Sequence, residues 1–176
     1  MEILIIGGVL VVIMVIVSTQ IKKSAARAFE PEVVETADFR IVKPFGFMHP
    51  LRDDSEYEFE AYSKDFGERN ESNIWRAQVC LTASAERNFA VICELARKQN
   101  DVILSEKTLE NAPDDEKICL IESEKTDNEI EFYEFRKIVE SRKQSKTYDL
   151  QILVLKSFRA EYSDRIDELT NSFRLK

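Results

Sequence analysis

From Ile3 to Val17 the chain carries 15 consecutive uncharged residues dominated by Ile, Val and Leu. A helix that is apolar all round has no face to offer to water, so such a segment must be buried on every side. Continued through Ile21 the run reaches 19 residues. At ~1.5 Å per residue that is about 28 Å, close to the ~30 Å hydrocarbon core of a bilayer. A cleavable export signal needs a basic n-region and a small-residue cleavage site. Here Met1-Glu2 carries no Lys or Arg, and "STQIKK" offers no such site. Residues 1–21 are therefore expected to be an uncleaved, single-pass transmembrane anchor. Its membrane-facing residues are Ile3, Leu4, Ile5, Ile6, Val9, Leu10, Val11, Val12, Ile13, Val15, Ile16 and Val17. Lys22, Lys23 and Arg27 follow the run and nothing basic precedes it but the α-amino group. The positive-inside rule then places the C-terminal remainder of the chain on the cytoplasmic side, with the extracytoplasmic side as the alternative.

The rest reads as a tether, residues 22–37, and one domain, residues 38–176, long enough for its own core. The chain's net charge of −8 becomes one unit more negative without Glu2, Lys22 and Lys23, so the domain is repelled by nucleic acid. Its four glycines are Gly7, Gly8, Gly46 and Gly67, which form neither common phosphate-cradling loop. The single histidine, His49, excludes paired-histidine metal sites. Cys80, Cys93 and Cys119 are odd in number, widely spaced and set in apolar patterns, as expected of buried reduced thiols. One disulfide between two of them is the alternative.

Hydrophobic periodicity gives the order of elements. "DFRIVKPFGFMHP" begins as a strand with Phe39 and Ile41 on one face and ends in a Pro/Gly turn. "EYEFEAYS" alternates, placing Tyr57, Phe59 and Ala61 together. "NIWRAQVCLTA" places Trp75, Ala77, Val79 and Leu81 on one face. "SAERNFAVICELARKQN" changes to helical spacing at Phe89, Ile92, Leu95 and Ala96, with Ser84 as the expected N-cap. "DVILSEK" reads as a short strand and "LENAPDDEK" as a turn. "KICLIES", "EIEFYEFRKIVES" and "TYDLQILVLKSF" read as three hairpin-connected strands, the last apolar on both faces and so central in a covered sheet. "SDRIDELTNSFRL" closes as a helix with Ile166, Leu169 and Phe173 on its stripe and Ser163 as expected N-cap. The fold class is α+β: a mostly antiparallel sheet flanked by helices, an αβα sandwich.

This order resembles the PsbP-like family, named for an extrinsic subunit of photosystem II. The resemblance rests on "DFRIVKPFGF" as entry strand, "TYDLQILVLKSF" as penultimate strand and "YSDRIDELTNSFRL" as terminal helix, and spans residues 38–176. It implies an αβα sandwich that acts by docking on a partner rather than by catalysis. Family members are exported, in contrast to the basic flank seen here, and no calcium- or manganese-handling set is matched.

No group of residues points to catalysis, metal or cofactor. "HPLRDD" joins His49 to Arg52, Asp53 and Asp54, which reads as a solvated loop unless a third group orients the ring. "APDDEK" (Asp114, Asp115, Glu116) lacks the spacing and glycine of a calcium loop. "NES" at Asn70 matches a glycosylation acceptor only in a secretory setting. The aromatics Phe45, Phe47, Phe59, Tyr62, Phe66 and Trp75 are expected to build core. Phe45, Phe47, Met48 and His49 around the Pro/Gly turn form the candidate docking patch. The expected function is a membrane-tethered accessory subunit docking on a membrane protein complex; a small-ligand or lipid carrier with an apolar pocket is the alternative.

Overall fold

The computed structural model describes residues 2–51, 55–85, 88–112 and 116–176, with side chains described from Ile13 onward except at 70 and 110–112. Helix α1 (Glu2–Ala28) runs through the whole apolar segment and continues seven residues past Ile21. Among the described residues no helix is long and apolar enough to cross a membrane. The side chains of Ile3, Leu4, Ile5, Ile6, Val9, Leu10, Val11 and Val12 lie outside that description, while Ile13, Val15, Ile16 and Val17 are about half exposed.

The stretch 22–37, expected to join anchor to domain, carries regular structure. Helix α1 occupies it to Ala28, and strand β1 (Glu32–Glu35) then pairs with β2 (Phe39–Lys43). Pro31 stands where helical geometry ends and strand begins, as the restriction on its preceding residue demands. β3 (Phe47–Met48), β4 (Phe59–Ser63) and β5 (Ala77–Ser84) lead to helix α2 (Phe89–Lys98). β6 (Val102–Ala112), β7 (Glu116–Asp127), β8 (Ile130–Ser141) and β9 (Lys146–Leu155) come next, then helix α3 (Arg159–Ser172) and β10 (Arg174–Leu175). A three-stranded sheet runs β1-β2-β10 and a seven-stranded sheet runs β3-β4-β5-β9-β8-β7-β6. Each ladder between these strands is antiparallel.

β9 is the fourth of the seven strands, as its two apolar faces require. Tyr148, Leu150, Ile152 and Val154 meet Ala77, Val79 and Leu81 of β5 in the main core, which α3 covers with Tyr162, Ile166 and Leu169. Each large side chain so buried contributes about 1.5–3 kcal/mol. Phe39 joins the small sheet to this core, edge-on to Tyr148 and to Phe173 at 6.4 and 6.2 Å. The opposite face carries α2, whose Phe89, Ile92, Cys93 and Ala96 pack on Cys119, Ile121 and Ile138. Two helices on opposite faces of one antiparallel sheet make the expected αβα sandwich.

Several local expectations change. Asn88, not Ser84, caps α2, its side chain accepting from the Val91 N–H, and Ser84 ends β5. Cys93 takes the buried place on α2 expected for Leu95, which is exposed. α3 starts at Arg159, straight from a 3-10 turn, with no side-chain cap and Ser163 inside it. β6 extends through "LENA", where the sequence predicts a turn. The β7–β8 connection shrinks to Asn128 and Glu129, both at positive φ (50° and 68°), the geometry of a two-residue hairpin turn.

Candidate functional site

The most distinctive construction lies where α1 meets the domain. Lys43, at the end of β2, is 2% exposed and donates from Nζ to the Ala28 carbonyl at 2.7 Å. That carbonyl belongs to the last residue of α1, where the helix leaves acceptors unpaired and its dipole favours a cation. The exposed Glu32 carboxylate lies 3.4 Å from the same ammonium. Next along the chain, the Gly46 N–H donates to the Phe29 carbonyl at 2.9 Å. Gly46 holds φ at +86°, a conformation other residues adopt only with strain. The 44–46 turn and Lys43 thus grip the helix end from two sides.

The turn separates the two phenylalanines of the candidate patch. Phe47 is buried against Tyr162, ring centroids 6.0 Å apart, and belongs to the core, so it is unavailable to a partner. Phe45, 60% exposed, stands outward at the turn. Met48 and His49 are half-buried behind it. Of the remaining aromatics, Phe59 is core, Phe66 is exposed and stacks on Trp75 at 3.9 Å, and Tyr62 lies 5.6 Å from that indole. Trp75 precedes β5 rather than sharing its face.

His49 has its Nδ1 2.9 Å from the Glu60 carbonyl and its Nε2 3.5 Å from Glu32 Oε2, with the ring edge-on to Phe59. Both nitrogens face oxygen atoms, a main-chain carbonyl and a carboxylate, which hold the ring in place. The acidic neighbour is Glu32, from a strand inside the expected tether; Arg52, Asp53 and Asp54 of "HPLRDD" include 52–54, which lie outside the described residues. So do Asp114 and Asp115, and the side chain of Asn70. Among the described residues no three His, Cys, Asp or Glu are grouped to hold a metal ion.

A row of buried polar groups under α2 has no counterpart among the sequence-predicted sites. Glu134 of β8, fully buried, accepts from Asn100 Nδ2 at 2.6 Å and from Gln151 Nε2. Arg136, two residues on, forms a two-point ion pair with Asp149 and donates to Gln99 Oε1 at 2.9 Å. The signal that could have found it is the register-compatible opposite charge on two neighbouring strands. Beside this pair, a groove of about 410 Å³ opens between α2 and β5, lined by Glu56, Thr82, Ser84, Ile92, Gln99 and Arg136 among others. Its volume suits a small ligand, but its charged and hydroxyl lining does not suit the apolar pocket a lipid carrier needs. All three cysteines are buried and outside any disulfide, and the Cys119 thiol on β7 donates to Glu106 Oε1 at 3.8 Å.

No family model matches the chain, and no curated protein matches it in sequence. Solved structures do match in shape. The cyanobacterial PsbP of Synechocystis sp. PCC 6803 is similar with a TM-score of 0.53 at 8% identity, over 84% of this chain and 92% of that one. LpqN, involved in cell envelope biogenesis of Mycobacterium tuberculosis, gives 0.54 at 10% identity, over 84% and 91%. The Saccharomyces cerevisiae Ran-binding protein Mog1p gives 0.53 at 13% identity, over 84% and 96%. At such identities the likeness is one of fold: the domain shares the α+β sandwich of these three proteins.

Proposed function

We propose that this chain is a membrane-tethered, non-enzymatic docking module whose partner is a membrane protein. The observation that carries the reading is the construction of α1. Ile13 to Val17 leave 49–69% of each residue exposed on a helix whose C-terminal end is clamped to the domain by Lys43 and Gly46. An apolar helix built outward from a sandwich that has its own complete core finds its natural cover in lipid. The 19-residue uncharged run in the sequence supports this reading, and the seven helical residues after it would raise the junction by about 10 Å. The turn with Phe45 then stands just clear of the headgroups, level with the membrane-proximal surface of a neighbouring protein. Confinement to one bilayer raises effective concentration, so that a small patch such as Phe45, Met48 and His49 suffices. A binding role accords with the fold's occurrence in the Ran-binding protein Mog1p. Lys22, Lys23 and Arg27 support a cytoplasmic domain, while the fold's occurrence in LpqN supports the other side. Protease protection in sealed vesicles distinguishes these.

The test uses the full chain in its native membrane. The chain should resist alkaline carbonate extraction, and a photo-crosslinker at position 45 should join it to a membrane protein that one at Val91 does not reach. Extraction by carbonate, or identical adducts from both positions, refutes the proposal.

A further inference from the structure

We propose that the groove between α2 and β5 is a binding site for a free aliphatic amino acid, held as a zwitterion between Arg136 and Glu56. Its volume of about 410 Å³ falls in the range of small-molecule sites, ~300–1,000 Å³. The floor is sheet and one wall is helix. Asp149 of β9 stands directly opposite Thr82 of β5, and Arg136 of β8 reaches across to Asp149. Ile92, Leu95 and Gln99 follow one another at i, i+3 and i+7, so a single face of α2 looks into the groove. This is where the apolar stripe of α2 leaves Leu95 38% exposed. The chain before β4 closes the rim. There the Glu58 N–H donates to the Leu81 carbonyl at 2.9 Å, which brings Glu56 beside the end of β5.

The polar groups of the groove are incompletely paired. A guanidinium carries five N–H donors. Arg136 gives two to Asp149, from Nε and Nη2, and one to Gln99 Oε1, from Nη1 at 2.9 Å. One N–H on each of Nη1 and Nη2 has no acceptor among the described residues, although Arg136 is only 8% exposed. A buried donor without an acceptor is costly, so these two call for a ligand oxygen.

The balance of charge then selects the ligand. Asp149 already neutralises Arg136, so a simple anion meets no net positive field. Among the described residues no other cationic side chain lines the groove. Glu56 is exposed and makes no ion pair among the described residues, which leaves one carboxylate over at the rim. A molecule with a carboxylate for Arg136 and an ammonium for Glu56 satisfies both ends through charge-assisted hydrogen bonds. The Thr82 hydroxyl, without a hydrogen-bond partner among the described residues, adds a further polar contact. Ile92, Leu95 and Ala83 offer an apolar wall to an aliphatic side chain.

The full chain, solubilised in detergent, is dialysed to equilibrium against radiolabelled L-leucine across the micromolar to millimolar range. Uptake should saturate at one leucine per chain. Leucinamide, which lacks the carboxylate, and N-acetyl-leucine, which lacks the ammonium, should each compete about tenfold less well than leucine. Glu56→Gln should weaken leucine about tenfold and leave N-acetyl-leucine unchanged. Thr82→Val, close to isosteric, should weaken leucine several-fold. Both side chains are exposed at the rim, so neither change disturbs the fold. No saturable uptake by the unaltered chain overturns the proposal, and so does uptake that Glu56→Gln leaves unmoved. Competition by both capped derivatives as strong as that of leucine overturns it as well, because the groove would then read only the aliphatic group.

Discussion

Replacing Asp149 by Leu should destabilise the domain by about 3–5 kcal/mol. The side chains of Arg136 and Asp149 are only 9% and 8% exposed, so the change leaves a guanidinium under α2 with its charge uncompensated. Two N–H groups lose their acceptors, and only the bond to Gln99 remains among those Arg136 makes to other side chains. Arg136→Met alone should cost a similar amount, because it strands the carboxylate. The double variant should recover most of the loss, since Ile92, Leu95 and Ile138 already supply apolar neighbours for an uncharged pair. Paired buried charges contribute little net stability, because desolvation offsets their attraction, whereas one left alone costs much. Singles that together cost about 6–10 kcal/mol, against a double variant that costs about 1 kcal/mol, give a coupling of at least about 5 kcal/mol. Urea unfolding of the four proteins measures it: each single variant should lower the midpoint by about 1–3 M at an unchanged slope. A double variant whose loss equals the sum of the singles within about 0.5 kcal/mol would refute the view that the two charges form one buried unit.

Lys43→Met should cost about 2 kcal/mol, the usual contribution of a hydrogen bond from a charged donor, and should speed tryptic cleavage after Arg27 several-fold. Unchanged cleavage would mean that Lys43 does not hold the helix end. Burial foremost lifts the hydroxyls of Tyr133, Tyr148 and Tyr162 above the ordinary tyrosine range. The native chain thus keeps these protons to higher pH than the unfolded chain. The resulting stability is complete below about pH 10 and is lost as pH rises further. From about pH 9 to about pH 12, loss of circular dichroism should coincide with tyrosinate absorbance; all five tyrosines titrating in the ordinary range with the fold intact would contradict this.

The sequence was most legible where one face of an element meets one layer. Ala77, Val79 and Leu81, the β9 alternation, and Ile166 with Leu169 on α3 all stand where their spacing puts them. It was least legible where partners arrive from elsewhere. β6 continues past its local turn signals because β7 supplies a register through Leu109 and Ala112. Ser84 and Asn88 are both competent caps, and pairing of Ser84 with Thr147 decides between them. Glu134 and Arg136 alternate with apolar residues as a solvent face would, but α2 lands on them and their complements lie on β9. Phe45 and Phe47, two residues apart, would share a face in any strand; Gly46 reverses the chain, so one goes outward and the other into the core.

The strand order has a consequence for how the chain is made. β5 cannot gain its central partner until β9 has been synthesised, and β2 waits for β10. Such separations make loop closure costly and folding slow. Helix α1 needs no distant partner, so it emerges and forms first. The membrane segment, on the proposed reading, is thus committed to its bilayer while the sandwich is still an open chain. The clamp at Lys43 and Gly46 joins residues near one another in the chain, so it can close as soon as β2 and its turn emerge, fixing the junction before the sandwich is complete.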